Sequence, residues 1–362
     1  MNKFNKVIGK HSLNLVPYVF LLYILFVFIF LLLRFPSEAS EGVKEGLRLC
    51  LQSLIPSLYP FMVAVEFMST SGIISKFSRL FDYISIKLFK IPYSFTVFLL
   101  SCLGGYPVGA LCIENLIEKG EITKKSGEWM LMFSVNPSLG FAVSFVGATL
   151  YKSVKAGILI YLSVILSSLI VGLIQRAFIK AKAKFEILPI VEYKGNISSA
   201  FTEAVKKSAA TMLYICAFTM LFSALISLVD ILRLPDETKL TVKCIVEITN
   251  GINSSWNVFS LPFIAGAISF GGLSVAFQIF STISQMKISV LKYISVRCLS
   301  AFLSYLIAAV MFKLFPVTVS TFSSGVSSCG AVTSHSIPVS VGLIVMTIVF
   351  IAEDSLSETK KT

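Results

Sequence analysis

The sequence predicts an all-α polytopic membrane protein built as two inverted repeats, each with a re-entrant helical hairpin. Three observations lead there. The chain of 362 residues is 56% hydrophobic and only 14% charged, with a mean hydropathy of +0.85. Several apolar runs approach the roughly 20 residues that cross a bilayer. Two of those runs break on glycine at matching places in two halves of the chain.

The first run, "LVPYVFLLYILFVFIFLLL", follows Lys3, Lys6 and Lys10. It is too long for the apolar region of a signal peptide and "FPSEASEG" offers no small-residue cleavage site, so a retained helix is expected over 1–40. The polar stretch "RFPSEASEGVKEGLR" reads as a loop before a span at about 47–70, which Pro56 and Pro60 interrupt and which carries Glu66. Residues 73–92 place Ile, Phe and Leu at helical spacing with Lys76, Arg79, Lys87 and Lys90 between them, a pattern that suits a helix lying in the membrane interface.

"SCLGGYPVGALCIENL" begins as a membrane helix, breaks, and resumes. Each arm is too short to cross alone, which predicts a hairpin entering and leaving on one side. Two spans follow at about 129–150, broken by "SVNPSLG", and 156–175; they close a first repeat over 41–178. The basic stretch 179–206 reads as a cytoplasmic linker.

The second repeat, 207–352, begins with a span at about 208–229 and the short amphipathic piece "VKCIVEITNGIN". An apolar arm then breaks at "GGLS". A span at about 290–315, a Ser-rich loop at 317–335 and a last span at about 338–352 complete the repeat, and 353–362 is a polar tail. With three spans and one hairpin per half, the second half enters from the opposite face, so the repeats are inverted. Of the 31 Lys and Arg, 18 fall on inner segments when the N-terminus is inside. Lys287, Lys292 and Arg297 lie on the unfavoured side. This topology puts Lys182 in the cytoplasm and Asp236 outside.

Backbone that leaves the helix at membrane depth strands N–H and C=O groups, and each costs several kcal/mol in lipid. Such breaks persist where protein or a wet cavity satisfies them. At Gly104, Gly105 and Gly109 a ligand can approach the backbone, the second half-helix offers its N-terminus to an anion, and Tyr106 adds a ring and a hydroxyl. Gly105 to Gly109 also fits a GxxxG packing face, and Pro107 fits a simple kink. Gly271, Gly272, Ser274 and Gln278 form the matching second break. Pro137 frees a carbonyl beside Asn136 and Ser138; a kinked packing helix is the alternative. In "EITNGINSS", Thr249 and Asn250 are candidate binding residues, with a solvated turn as the other reading. Glu66, Glu114 and Glu247 are candidates for a coupling proton.

The net charge of +12 raises nucleic acid as a partner, but the cations sit between apolar runs, as the positive-inside bias expects. The seven cysteines (Cys50, Cys102, Cys112, Cys216, Cys244, Cys298 and Cys329) form no CxxC pair and read as buried hydrophobes. HExxH, GxxxxGK[ST] and GxSxG are absent, and His11 and His335 stand far apart, so no enzyme, metal site or cofactor is expected. The expected partners are a small anionic solute and the lipid bilayer, with room for a homo-oligomer.

"GGYPVGA", "IENLIEKGEIT" and "NPS", followed by "EITNGI" and "FGGLSVAFQIFS", resemble the YlbJ-type sporulation integral membrane proteins, within the larger group that carries nucleoside-recognition Gate domains. The resemblance covers about residues 45–315 in order. The family's first motif is closer to "SGYPSGAK"; Gly104, Val108 and Leu111 stand here at its two serines and its lysine. The resemblance implies a protein made during sporulation of an endospore former, two Gate-like repeats, and dipicolinate as cargo moved from mother cell toward forespore across the mother-cell-derived outer forespore membrane. A non-transporting protein of spore assembly and a nucleoside or cation transporter are the alternatives.

Overall fold

The structure, a computed structural model, describes residues 19, 22, 23, 25–179, 196–283, 286 and 288–317. Among them every regular element is helical. The expected last span, all but the first residue of the Ser-rich loop, most of the basic linker including Lys182, and His11, His335, Cys329 and Lys287 lie outside the described residues.

Helix α1 covers Leu25–Arg34. The polar stretch expected as a loop is instead a helix, α2 (Pro36–Leu49), with Pro36 in its first turn. Its polar residues share one face, while Ala39, Gly42, Gly46 and Leu49 recur at helical spacing on the buried face, packed on the helix Ile197–Val229. A Cβ on Gly42 would come within 2.6 Å of the Ser223 carbonyl, the close approach that small residues allow between membrane helices. Through a π-helical turn at Cys50–Leu54, α2 runs into α3 (Ile55–Thr70). That adjustment absorbs Pro56, so the segment bends its hydrogen-bond register rather than stopping.

Helix α4 (Ile73–Phe89) begins after Gly72 and ends at Lys90, both left-handed. It buries Ile74, Ser75, Ser78 and Ser85 while Leu80, Tyr83 and Ile86 face outward, and it meets α5 (Ser94–Gly104) at 101°. Then come α6 (Tyr106–Glu118) and α7 (Lys124–Phe133), the latter capped by Thr123, whose hydroxyl accepts the Ser126 N–H at 3.2 Å. A non-helical stretch, 134–138, separates α7 from a π-helical segment at Gly140–Leu150. Helix α8 (Val154–Phe178) closes the first half.

Helix α9 (Ile197–Val229) starts well before the expected 208, because Asn196 caps it by accepting the Ser198 N–H. The amphipathic piece is two helices, α10 (Asp236–Val246) and α11 (Ile248–Ser255). Helices α12 (Leu261–Phe270), α13 (Gly272–Thr282) and α14 (Val290–Leu314) follow.

Among the described residues, five helical segments are long and apolar enough to cross a membrane: Pro36–Thr70, Val154–Phe178, Ile197–Val229, Leu261–Thr282 and Val290–Leu314. The bent pair α4 and α5 makes a sixth if it counts as one crossing. Helix α6 lies at the centre, buried from Tyr106 to Ile117 except for Leu111, and packs on α3, α7 and α13.

Gly109 sets how closely α6 passes the chain after α7, since a Cβ there would sit 1.9 Å from the Ser134 carbonyl oxygen. Gly109→Ala is expected to lower stability by about 3 kcal/mol through overpacking, whereas Leu80→Ala on the exposed face should change it by less than about 0.5 kcal/mol. Thermal unfolding in detergent checks both; equal melting of the two variants would contradict this contact.

Candidate functional site

At the first break, Gly105 has φ +96° and ψ −177°, a conformation only glycine adopts freely. A Cβ there would also press on Leu58 and Ser138. Tyr106 and Pro107 then open α6, with proline where its missing N–H costs nothing.

At the second break, Gly271 and Gly272 take φ +85° and +79° in succession. An unbroken helix would bond the carbonyls of Ile268, Ser269 and Phe270 to residues four further on. Here side chains take over. The Tyr106 hydroxyl donates to the Ile268 carbonyl, and Arg297 of α14 donates from Nη2 to the Ser269 carbonyl and from Nε to that of Phe270 at 3.3 Å.

The third break is the non-helical stretch 134–138. Arg297 Nη1 donates to the Val135 carbonyl at 2.7 Å. Asn136 Nδ2 donates to Ser101 Oγ at 3.0 Å and to the Phe133 carbonyl at 3.3 Å. Ser138 Oγ accepts the Phe141 N–H at 3.0 Å, starting the π-helical segment. The three interruptions are thus tied pairwise: first to second by Tyr106, second to third by Arg297, third to first by Asn136.

Beside this triangle lies a cavity of about 30 Å³, room for about two waters. Tyr106, Pro107, Ser138, Glu247, Thr249 and Gln278 face it, with Leu58, Phe141 and Val275 among its apolar walls. Glu247 lies between α10 and α11 and caps α11, its carboxylate accepting the N–H groups of Thr249 at 3.0 Å and Asn250 at 2.7 Å. Asn250 Nδ2 in turn donates to Ser223 of α9 at 2.6 Å. On α13, Gln278 Nε2 donates to Ser274 Oγ one turn earlier.

Of the residues singled out in the sequence, Tyr106, Ser138, Glu247, Thr249 and Gln278 share this cavity. Gly105 abuts Ser138, Gly271 stands near the Tyr106 ring, and Gly272 backs onto α11. Gly104 packs against Val108 and Gly109 against Ser134. Asn250 and Ser274 hydrogen-bond to the lining residues Glu247 and Gln278, Asn136 bonds to Ser101 and Phe133, and none of the three lines the cavity.

Two carboxylates lie elsewhere. Glu66 accepts Asn115 Nδ2 at 2.7 Å and pairs with Lys207 at 3.5 Å, joining α3, α6 and α9, while Lys119 donates to the Ser69 carbonyl nearby. Glu114 is buried on α6 and does not line the cavity. No group of three or more His, Cys, Asp or Glu able to hold a metal occurs among the described residues.

Sequence reasoning missed Arg297, counting it only as a charge on the wrong side. A signal was present: it is an ionisable residue within an apolar run, which marks a functional position by default.

No family profile matches the chain, and no solved structure matches it. Over 220 residues it is 23% identical to "Sporulation integral membrane protein YlbJ" of Bacillus subtilis (strain 168), an alignment covering 56% of this chain and 54% of that protein. The chain thus spans about half the length of the relative it matches. Together with the five apolar helical segments, this similarity describes an integral membrane protein and supports, at the level of the family, the resemblance to the YlbJ-type sporulation membrane proteins.

Proposed function

We propose that this protein is a secondary transporter of a small anionic metabolite, dipicolinate, moving it from mother cell toward forespore across the outer forespore membrane. The observation that carries the reading is the meeting of three broken helical segments around one cavity. Irregular backbone at membrane depth is retained in transporters where half-helix ends bind the substrate. The cavity offers a flat aromatic dianion the Tyr106 ring, the Thr249 and Ser138 hydroxyls and the Gln278 amide. The relative's name supplies the sporulation context.

The two halves act as inverted repeats with re-entrant hairpins in this reading, and transport rocks one against the other. With about 30 Å³ of space, the cavity is too small for the solute until the helices around it move. A solute enters when α6 and α13, which pack on each other here, move apart. The Tyr106 bond to Ile268 is the tie that must loosen.

Proteoliposomes with trapped terbium test this directly, because entering dipicolinate makes terbium luminesce. Protein-dependent uptake is expected, reduced at least about tenfold in Asn136→Ala, a loss of about 1.4 kcal/mol in transition-state terms. Absence of uptake by folded protein under several imposed ion gradients would overturn transport in favour of a non-transporting role in spore assembly. Single-cysteine labelling checks the topology: a cysteine at Asp236 should react from outside and one at Lys182 only after permeabilisation. The reverse pattern would overturn the proposed orientation.

A further inference from the structure

We propose that Arg297 is the residue by which this protein selects a carboxylate solute, its guanidinium exchanging backbone carbonyls for the solute's carboxylate. The inference rests on the transport reading above and adds to it the group that recognises charge.

Arg297 is only 2% exposed. Among the described residues no carboxylate lies within ion-pair distance of it, whereas the other well-buried cation, Lys243, pairs with Asp230 at 2.8 Å, and the partly exposed Lys207 pairs with Glu66 and Glu203. All of the hydrogen bonds described for Arg297 run to backbone carbonyls, those of Val135, Ser269 and Phe270. A carbonyl carries only a partial charge, so a full positive charge is held in a buried site without a neutralising partner, a costly arrangement where water is excluded.

The shape of the group also fits. A guanidinium presents two parallel N–H donors that match a carboxylate bidentately, which an ammonium cannot reproduce. Tyr106 links the cavity to this region: it lines the cavity, and its hydroxyl bonds the carbonyl next in sequence to the one that Nη2 holds. In this proposal the Tyr106 side chain moves to bring the solute to the guanidinium.

Nη1 and Nη2 hold different interruptions, Val135 in the third and Ser269 in the second. A carboxylate that takes both donors releases both carbonyls and unties the two segments. Occupancy of the site is thereby linked to the movement that transport requires.

The test compares dipicolinate with its neutral isostere, pyridine-2,6-dicarboxamide, scoring binding in detergent by thermal stabilisation separately from flux in proteoliposomes. Wild-type protein should bind the dianion at least about tenfold more tightly than the diamide. In Arg297→Gln this ratio should fall to near one, while Arg297→Lys keeps a preference for the dianion at weakened affinity. Loss of binding for both ligands in equal proportion, or a ratio unchanged in Arg297→Gln, would overturn the proposal and leave Arg297 as a structural tie. Should Arg297→Gln fail to fold, Arg297→Lys decides: a loss confined to the dianion supports charge recognition, an equal loss for both ligands overturns it. Charge-selective binding by wild type without flux would overturn the transport reading and not the role of Arg297.

Discussion

A polypeptide that leaves the helix inside a bilayer must find new hydrogen-bond partners for the groups it strands, and that constraint organises this molecule. The chain meets it by letting each interruption supply the needs of another. The carbonyls left at the end of α12 take their donors from Tyr106, which opens α6, and from Arg297 of α14. The non-helical stretch after α7 is held by the same arginine and, through Asn136, by Ser101 of α5. Removing Arg297 therefore exposes backbone carbonyls in two segments at once. The close passage of Gly109 past Ser134, which only a hydrogen-sized side chain permits, brings α6 near enough for these bonds to form.

Around the triangle the polar inventory divides by location. Glu247, Thr249 and Gln278 stand at the cavity with their own hydrogen bonds already arranged. Glu66 belongs to a separate ion-paired group with Lys207 and Glu203, alongside Asn115, that fastens α3, α6 and α9. The first set lines the cavity and the second fixes how the helices sit, a distinction that burial does not reveal because Glu66 and Glu247 are almost equally enclosed.

The apolar runs and the positions of the breaks were legible in the sequence, since chain length, hydropathy and the chemistry of Gly105, Pro137 and Gly271 are local properties. Helix α2 was not, because its charged face dominates a linear reading and its buried stripe, Leu49 apart, is alanine and glycine, which hydropathy weights little. The partition of "VKCIVEITNGIN" into two helices depends on Glu247 turning its carboxylate onto the N–H groups that follow, a cap without a hydrophobic period to announce it. The pairing of the breaks was beyond a linear reading altogether. Tyr106 and Ile268, like Val135 and Arg297, are 162 residues apart, and periodicity within a segment carries no information about such partners.

That separation bears on biosynthesis. Synthesis proceeds from the N-terminus, so the interruptions at Gly105 and at 134–138 emerge long before the arginine and the carbonyls that complete them. A nascent chain ending short of α14 holds the Val135 carbonyl without its cationic donor, and the Tyr106 hydroxyl finds no Ile268 until α12 has been made. The first half is accordingly a membrane-inserted intermediate rather than a finished unit, and its consolidation awaits delivery of a helix from the far end of the chain.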